Sequence, residues 1–168
     1  MNTFTKDFSD EEIARDWTLS DFNLKQIYEF RKSYQLYVAV QICSIRLQGC
    51  FLGSVQELSP HIINYLNSQI GLPLTMFVNE PTRRATRSQY HRQILTHLGF
   101  QKYDEKAHLE LEDWARKKAE EGLFPHDILL LAEGFLLKKK IVLPGRITLE
   151  RQINSLCSEV HSKIFESK

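Results

Sequence analysis

Basic side chains concentrate in two stretches of a chain that is otherwise close to neutral. The whole sequence holds 22 Lys and Arg against 21 Asp and Glu, a formal net charge of +1 at pH 7. Residues 82–103 hold five basic side chains and no acidic one, and residues 138–153 hold five basic side chains and one acidic one. Clustered cations are suited to binding phosphate, although a solvated helix surface gives the same pattern. The sequence therefore favours a local phosphate-binding surface over a protein that is basic throughout.

If the phosphates belong to DNA, two kinds of contact are expected from these stretches. Arg and Lys bind backbone phosphates and position a protein, whereas Arg and Gln can also bond guanine and adenine in the major groove. We expect phosphate contacts from the arginines of the first stretch and base readout from Arg151 and Gln152. The three consecutive lysines are expected to contact the DNA backbone, and a purely solvated role is the alternative for them. The predicted DNA-binding residues are Arg83, Arg84, Arg87, Arg92, Lys138, Lys139, Lys140, Arg146, Thr148, Arg151, Gln152 and Ser155.

The second basic stretch spans a break between two predicted helices. Pro144 and Gly145 end the first helix, because proline lacks an amide proton and glycine accepts a left-handed turn. Thr148 is the predicted N-cap of the second helix, whose exposed face is expected to carry Arg146, Arg151, Gln152 and Ser155. Two helices joined by a short turn form a helix-turn-helix, predicted here for residues 126–160. The alternative is an ordinary loop between two core helices with solvated lysines in the last turn.

Helical periodicity dominates the sequence, and no alternating strand pattern occurs. Ser9 and the pair Ser59–Pro60 are typical helix starts. The helix predicted for residues 34–47 is apolar on most of its circumference, so we expect it at the centre of a core, with Gly49 at its end. The sequence predicts an all-α fold.

The helices are expected to form two small, helix-turn-helix-like domains. Residues 72–81 contain two prolines among apolar side chains, a composition that marks the predicted boundary. We therefore predict one helical DNA-binding domain over residues 1–75 and a second over residues 76–168.

Groups for catalysis or metal binding do not form a recognisable set. The sequence contains no glycine-rich phosphate loop and no HExxH or GxSxG motif. The spacing of His91 and His97 does not direct both to one metal on a helix. The three cysteines form no paired framework, and no apolar run is long enough to cross a bilayer. We predict no catalytic residue, no metal ligand and no cofactor in this chain, and a soluble, cytosolic protein.

Three sequence segments resemble the N-terminal region of Tn3-family transposases. They are IVLPGRITLERQI at 141–153, LYVAVQICSIRLQG at 36–49 and RQILTHLGF at 92–100. The resemblance covers nearly the whole chain. It implies tandem helical domains that recognise the terminal inverted repeats of a transposon in the bacterial cytosol. It also implies that the carboxylate triad of the family lies C-terminal to the matched region, which would make this chain a non-catalytic fragment.

Two other classes of function remain open from the sequence. The helices could form an interaction module that mediates self-association or docks on the catalytic region of the same transposase. This hypothesis predicts partly exposed apolar side chains at Phe51, Leu52, residues 72–77 and the end of the helix at 128–137. A small-molecule pocket is the weaker alternative, because the sequence shows no convergent set of polar groups for it.

Overall fold

The computed structural model describes residues 8–73 and 77–166, and the described chain is helical. Two short 3₁₀ helices, Lys32–Tyr34 and Val55–Glu57, accompany the α-helices. The all-α prediction is confirmed. The α-helices are α1 Asp10–Trp17, α2 Asp21–Ile27, α3 Gln35–Gln48, α4 Pro60–Ile70, α5 Arg84–Leu98, α6 Glu105–Glu120, α7 Pro125–Lys138 and α8 Arg146–Glu166.

The chain divides into two compact units, Met1–Leu98 and Gly99–Lys168. This division differs from the predicted boundary after residue 75, because α5 packs with the first unit. Ile94 of α5 is fully buried in the first core, and Tyr90 and Leu98 pack against that core. The prolines between α4 and α5 interrupt the helices without ending the packing. Of the segment predicted as the boundary, residues 74–76 lie outside the described residues.

Helix α3 forms the centre of the first unit, as its apolar circumference predicts. All its residues from Gln35 to Ile45 are buried. Its polar Gln41 is satisfied by the chain that follows the helix: Gln41 Nε2 donates to the Leu52 carbonyl at 2.9 Å, and the Leu52 amide donates to Gln41 Oε1 at 2.8 Å. Gly49 ends the helix in a left-handed conformation, with φ of 75°. A buried amide thus holds the loop after α3 without leaving polar groups unpaired.

Local capping explains several helix starts. The Ser9 hydroxyl accepts from the Glu12 amide at 3.2 Å. Ser59 is the N-cap residue of α4, as predicted, but its hydroxyl forms no capping hydrogen bond, and Pro60 at the first helical position favours the helix start. Ser20 and Asn23 form a reciprocal capping box at α2. These helix starts are specified by side chains next to them in sequence.

The second unit consists of α6, α7 and α8, which pack on one another around one apolar core. Each helix contributes buried side chains at helical spacing, among them Leu111, Ile128, Leu136, Ile153 and Leu156. Between α7 and α8, the chain pairs with the segment before α6. The Gln101 amide donates to the Lys140 carbonyl at 2.8 Å, and the Val142 amide donates to the Gln101 carbonyl at 3.0 Å.

Helix α8 begins earlier than predicted. The Leu149 amide donates to the Gly145 carbonyl at 3.0 Å, which makes Arg146 the first helical residue. The prediction of Thr148 as the N-cap is therefore wrong, and Thr148 lies within the first turn.

Within the described ranges, no helix is both long and apolar enough to cross a membrane.

Candidate nucleic-acid interface

Exposed arginines lie at the start of α5 and along its outer side. Arg83, Arg84 and Arg92 are exposed, and no described residue forms an ion pair with them. Their charge is therefore available to an external anion. Arg87 is placed differently, because its guanidinium donates to the Pro81 carbonyl at 3.0 and 3.3 Å. Of the four predicted phosphate-binding arginines, three have guanidinium groups without a bond to a described residue. The fourth, Arg87, is hydrogen-bonded to the segment before the helix.

The inner side of α5 carries a histidine that belongs to the core. His91 Nε2 lies 2.8 Å from the Tyr37 hydroxyl, and its ring stacks on Phe51 with 3.8 Å between centroids. Burial, reinforced by the nearby Arg87 charge, lowers the pKa of His91 to about 4. His91 is therefore neutral near pH 7, and its role is packing and hydrogen bonding.

The outer face of α5 also carries Ser88, Gln89 and Gln93, which are not among the predicted DNA-binding residues. All three are exposed. In the sequence these residues can be recognised as uncharged polar positions within a segment that has no acidic residue. A search for charged residues alone does not find them.

The predicted reading face of α8 is divided between two sides of the helix. Arg146 lies on the side of α7, within 3.5 Å of Glu133 Oε1 and 3.2 Å of Glu150 Oε1. Thr148, Arg151 and Ser155 lie on the side of α6. The expectation of one exposed face that includes Arg146 is wrong. Five residues of α-helix turn through about 500°, one full turn plus about 140°, so Arg146 and Arg151 lie on different sides of α8.

Gln152 is half-buried and is bonded within the second unit. Its Oε1 accepts from the Tyr103 hydroxyl at 2.8 Å, and its Nε2 lies 3.5 Å from the His108 carbonyl oxygen. Both ends of the amide that would bond adenine are thus directed to protein groups.

A groove of about 360 Å³ runs between α6 and α8, beside Arg151. Two carboxylates, Glu112 and Glu159, also line it, and each lies within 3.8 Å of Arg116. Thr148 and Ser155 are exposed along the same groove. The surroundings of Arg151 are therefore of mixed charge.

The lysines that follow α7 differ in their contacts. Lys139 Nζ lies 3.2 Å from Glu110 Oε2 and 5.0 Å from the centre of the Phe135 ring. Lys138 and Lys140 are exposed, and Lys140 adopts a left-handed backbone with φ of 55°. One of the three predicted backbone contacts thus already has an internal partner.

Metal-binding and thiol chemistry find little support in the described chain. No cluster of three or more His, Cys, Asp or Glu side chains there could hold a metal ion. Burial raises the pKa of Cys43 to about 12 and also raises that of Cys157, so neither is a ready thiolate.

The chain belongs to the protein family described as a domain of unknown function, DUF4158, whose model matches residues 1–156. Curated relatives are transposases. The chain is 23% identical over 159 residues to the transposase for transposon Tn3926 of Escherichia coli, covering 92% of this chain and 16% of that protein. It is 24% identical over 137 residues to the transposase for transposon Tn1546 of Enterococcus faecium, covering 82% of this chain and 14% of the relative.

A third relative is the transposase for transposon gamma-delta of Escherichia coli strain K12, with 22% identity over 167 residues, 94% of this chain and 16% of that protein. The predicted resemblance to Tn3-family transposases is confirmed. The chain spans only 14 to 16% of the length of these relatives.

Proposed function

We propose that this chain is the DNA-binding N-terminal part of a Tn3-family transposase and recognises the terminal inverted repeats of the transposon during transposition. The observation that carries the proposal is the group of exposed arginines at α5, in a segment without a carboxylate, on a chain whose relatives are transposases. Catalysis is assigned to a region outside the matched part, and the chain itself needs no cofactor. A DNA-bound role of this kind belongs in the bacterial cytosol.

Phosphate contacts supply most of the affinity in this proposal. Each neutralised phosphate releases counterions, so binding should weaken steeply as salt rises. Arg83 and Arg84 are suited to this role at the start of α5, where the helix dipole also favours an anion. In the second unit, Lys138, Lys140 and the face with Thr148, Arg151 and Ser155 offer a separate set of contacts. Two modules on one long site gain selectivity through their effective concentration.

Titration with duplex DNA tests the proposal. The chain is titrated with a duplex that carries the terminal inverted repeat of the transposon encoding it, and with a duplex of the same composition in shuffled order, each at two salt concentrations. We expect preference for the repeat and a steep salt dependence. Equal, weak binding to both duplexes at low salt would overturn the proposal.

A second candidate function is an interaction module for transposase assembly, favoured by apolar side chains on α7. Leu130, Leu131 and Leu137 are 57%, 49% and 37% exposed. Gly134 lies between them and leaves room for a neighbouring helix. Leu52, which this hypothesis expected to be partly exposed, is buried. The partners would be a second copy or the catalytic region of the same transposase.

Sedimentation equilibrium without DNA tests the interaction module. Self-association that is abolished by Leu130→Lys and retained by Lys117→Ala would favour it over end recognition. A monomer at all concentrations would remove self-association from the candidates.

A further inference from the structure

One stripe of side chains runs along the outer face of α5. Ala85, Gln89, Arg92 and Thr96 follow one another at spacings of four, three and four residues, which places them on one side of a helix. All four are exposed, whereas Ile94 and His91 lie on the inner side. The stripe thus presents a small residue, an amide, a guanidinium and a hydroxyl in a row.

The two longest side chains of the stripe have no internal bond. No described residue accepts or donates a side-chain hydrogen bond with Gln89, and none bonds the Arg92 guanidinium. Thr96 donates its hydroxyl to the Arg92 carbonyl at 2.9 Å, a bond within the helix itself. Gln89 and Arg92 therefore keep their full bonding capacity for an external ligand.

The positive charge around the stripe favours a polyanion as the external ligand. Residues 82–103 contain no carboxylate. A groove of about 490 Å³ separates α5 from α2, and Arg92 and Thr96 of the stripe line it together with one carboxylate, Glu29. At the N-terminal end of α5, Arg83 and Arg84 add further positive charge.

The corresponding face of α8 is less suited to reading bases. Arg151 shares its groove with Glu112 and Glu159, and the Gln152 amide is already bonded to Tyr103. A carboxylate beside the groove repels backbone phosphates, and an occupied amide must break a bond before it reads a base. Of the two helices, α5 has donors without internal side-chain bonds, and one carboxylate lines the groove of Arg92 whereas two line that of Arg151.

We propose that α5 is a recognition helix that enters the major groove of duplex DNA and reads bases through Gln89 and Arg92. This inference rests on the proposed function and deepens it by adding a reading helix in the first unit. Gln89 would bond adenine N6 and N7, and Arg92 would bond guanine O6 and N7. Ala85 allows the helix close approach, and Arg83 and Arg84 hold the phosphates beside its N-terminus. Arg92 thereby becomes a base reader instead of a phosphate contact.

Selection from a randomised duplex library tests this assignment even when the recognised DNA sequence is unknown. The wild-type chain, Gln89→Ala and Arg92→Lys are each used to select duplexes, which are then sequenced and titrated. Arg92→Lys keeps the charge and removes the planar fork, so a phosphate contact would survive it, whereas a bidentate bond to guanine would be weakened. Asn154→Ala and Arg31→Lys are the matched controls, because both sites are exposed and lie outside α5.

We expect the wild-type chain to select a defined motif. Gln89→Ala and Arg92→Lys should each lose preference at one or two adjacent positions, by roughly 5- to 150-fold against the best wrong base. Their salt dependence should equal that of the wild type, because neither change alters the charge. Both controls should select the wild-type motif.

Two results would overturn the inference, and they differ in their bearing on the proposed function. If the wild type selects a motif and both α5 variants select the same motif with the same preference, reading by α5 is refuted while DNA recognition stands. If the wild type binds no duplex and enriches no motif, both are refuted. Circular dichroism of each variant verifies that the helices are retained.

Discussion

At the scale of single residues, an exposed cation and an engaged cation are distinguished only by their neighbours. Arg84 is exposed without an ion pair among the described residues, whereas Arg87 bonds Pro81 and Lys139 pairs with Glu110. A free guanidinium can bind phosphate without breaking an existing bond. The first test of DNA binding therefore belongs to Arg84.

Arg84→Ala should weaken binding to repeat and shuffled duplexes by the same factor. The magnitude of the slope of log affinity against log salt should fall by about 1, the value for one lost phosphate contact. Titrations at several salt concentrations measure both quantities. Lys117→Ala, which removes an exposed charge from α6, is the control and should leave the slope unchanged. A loss confined to the repeat duplex would show instead that Arg84 reads bases.

His91 should make the stability of the first unit depend on pH. Its pKa is about 4 in the folded chain, below the ordinary value of 6.5. Between these values the unfolded chain binds the extra proton, so the free energy of unfolding falls as pH decreases from about 6.5 towards 4. The slope from this group is at most about 1.4 kcal/mol per pH unit, and the partial exposure of His91 reduces it.

Urea denaturation at pH 7 and pH 5 measures this effect. His91→Gln removes the titrating group and keeps a hydrogen-bonding side chain, so its stability should change less between the two pH values than that of the wild type. His161→Gln, at an exposed position of α8, should behave like the wild type. Equal pH dependence of His91→Gln and the wild type would contradict the assignment.

At the scale of helices, a half-buried polar contact joins α8 to the segment before α6 in the second unit. The Tyr103 hydroxyl donates to Gln152 Oε1 at 2.8 Å, and both residues are half-buried. This contact gives Gln152 a structural role that competes with its predicted role in reading bases. The two roles differ in what a substitution does to folding.

Gln152→Ala and Tyr103→Phe should each destabilise the chain, and the double variant should lose less than the sum of both. The coupling energy of this hydrogen bond is expected at about 0.5–1.5 kcal/mol. The urea unfolding midpoints of the wild type, the two single variants and the double variant complete this double-mutant cycle. Ser155→Ala, on the exposed neighbouring face, should leave the midpoint unchanged. Additive losses would mean that the bond contributes nothing.

At the scale of the whole molecule, each compact unit has its own apolar core. The core of the second unit draws on α6, α7 and α8, and Leu111 and Ile128 are fully buried within it. A unit with its own core can unfold as one cooperative step. This organisation allows the proposed DNA-binding surface of each unit to be studied separately.

The unit Gly99–Lys168, expressed by itself, should be helical and unfold cooperatively in urea. Leu111→Ala within it should reduce the free energy of unfolding by about 2–5 kcal/mol, because it removes a fully buried side chain. Circular dichroism against urea measures both. A gradual, non-cooperative loss of helix, insensitive to Leu111→Ala, would show that this core does not sustain the unit alone.

Several features of the fold were predictable because their causes lie close together in sequence. Ser9, the Ser59–Pro60 pair and Gly49 mark helix ends through local bonding and backbone conformation. The burial of α3 follows from its apolar composition. The acid-free segment around α5 was likewise visible in the sequence, since charge counts need no coordinates.

Other features depended on contacts between segments that are distant in the chain. Packing of Ile94 with the first core moved α5 across the predicted boundary. Gln152 was expected to face DNA, but Tyr103, 49 positions away in the chain, bonds its amide. The sequence alone determined the helical class, several of the helix ends and the location of positive charge, because these follow from local chemistry. Only the tertiary structure decided which polar groups keep free bonding capacity, since that depends on what long-range packing brings beside them.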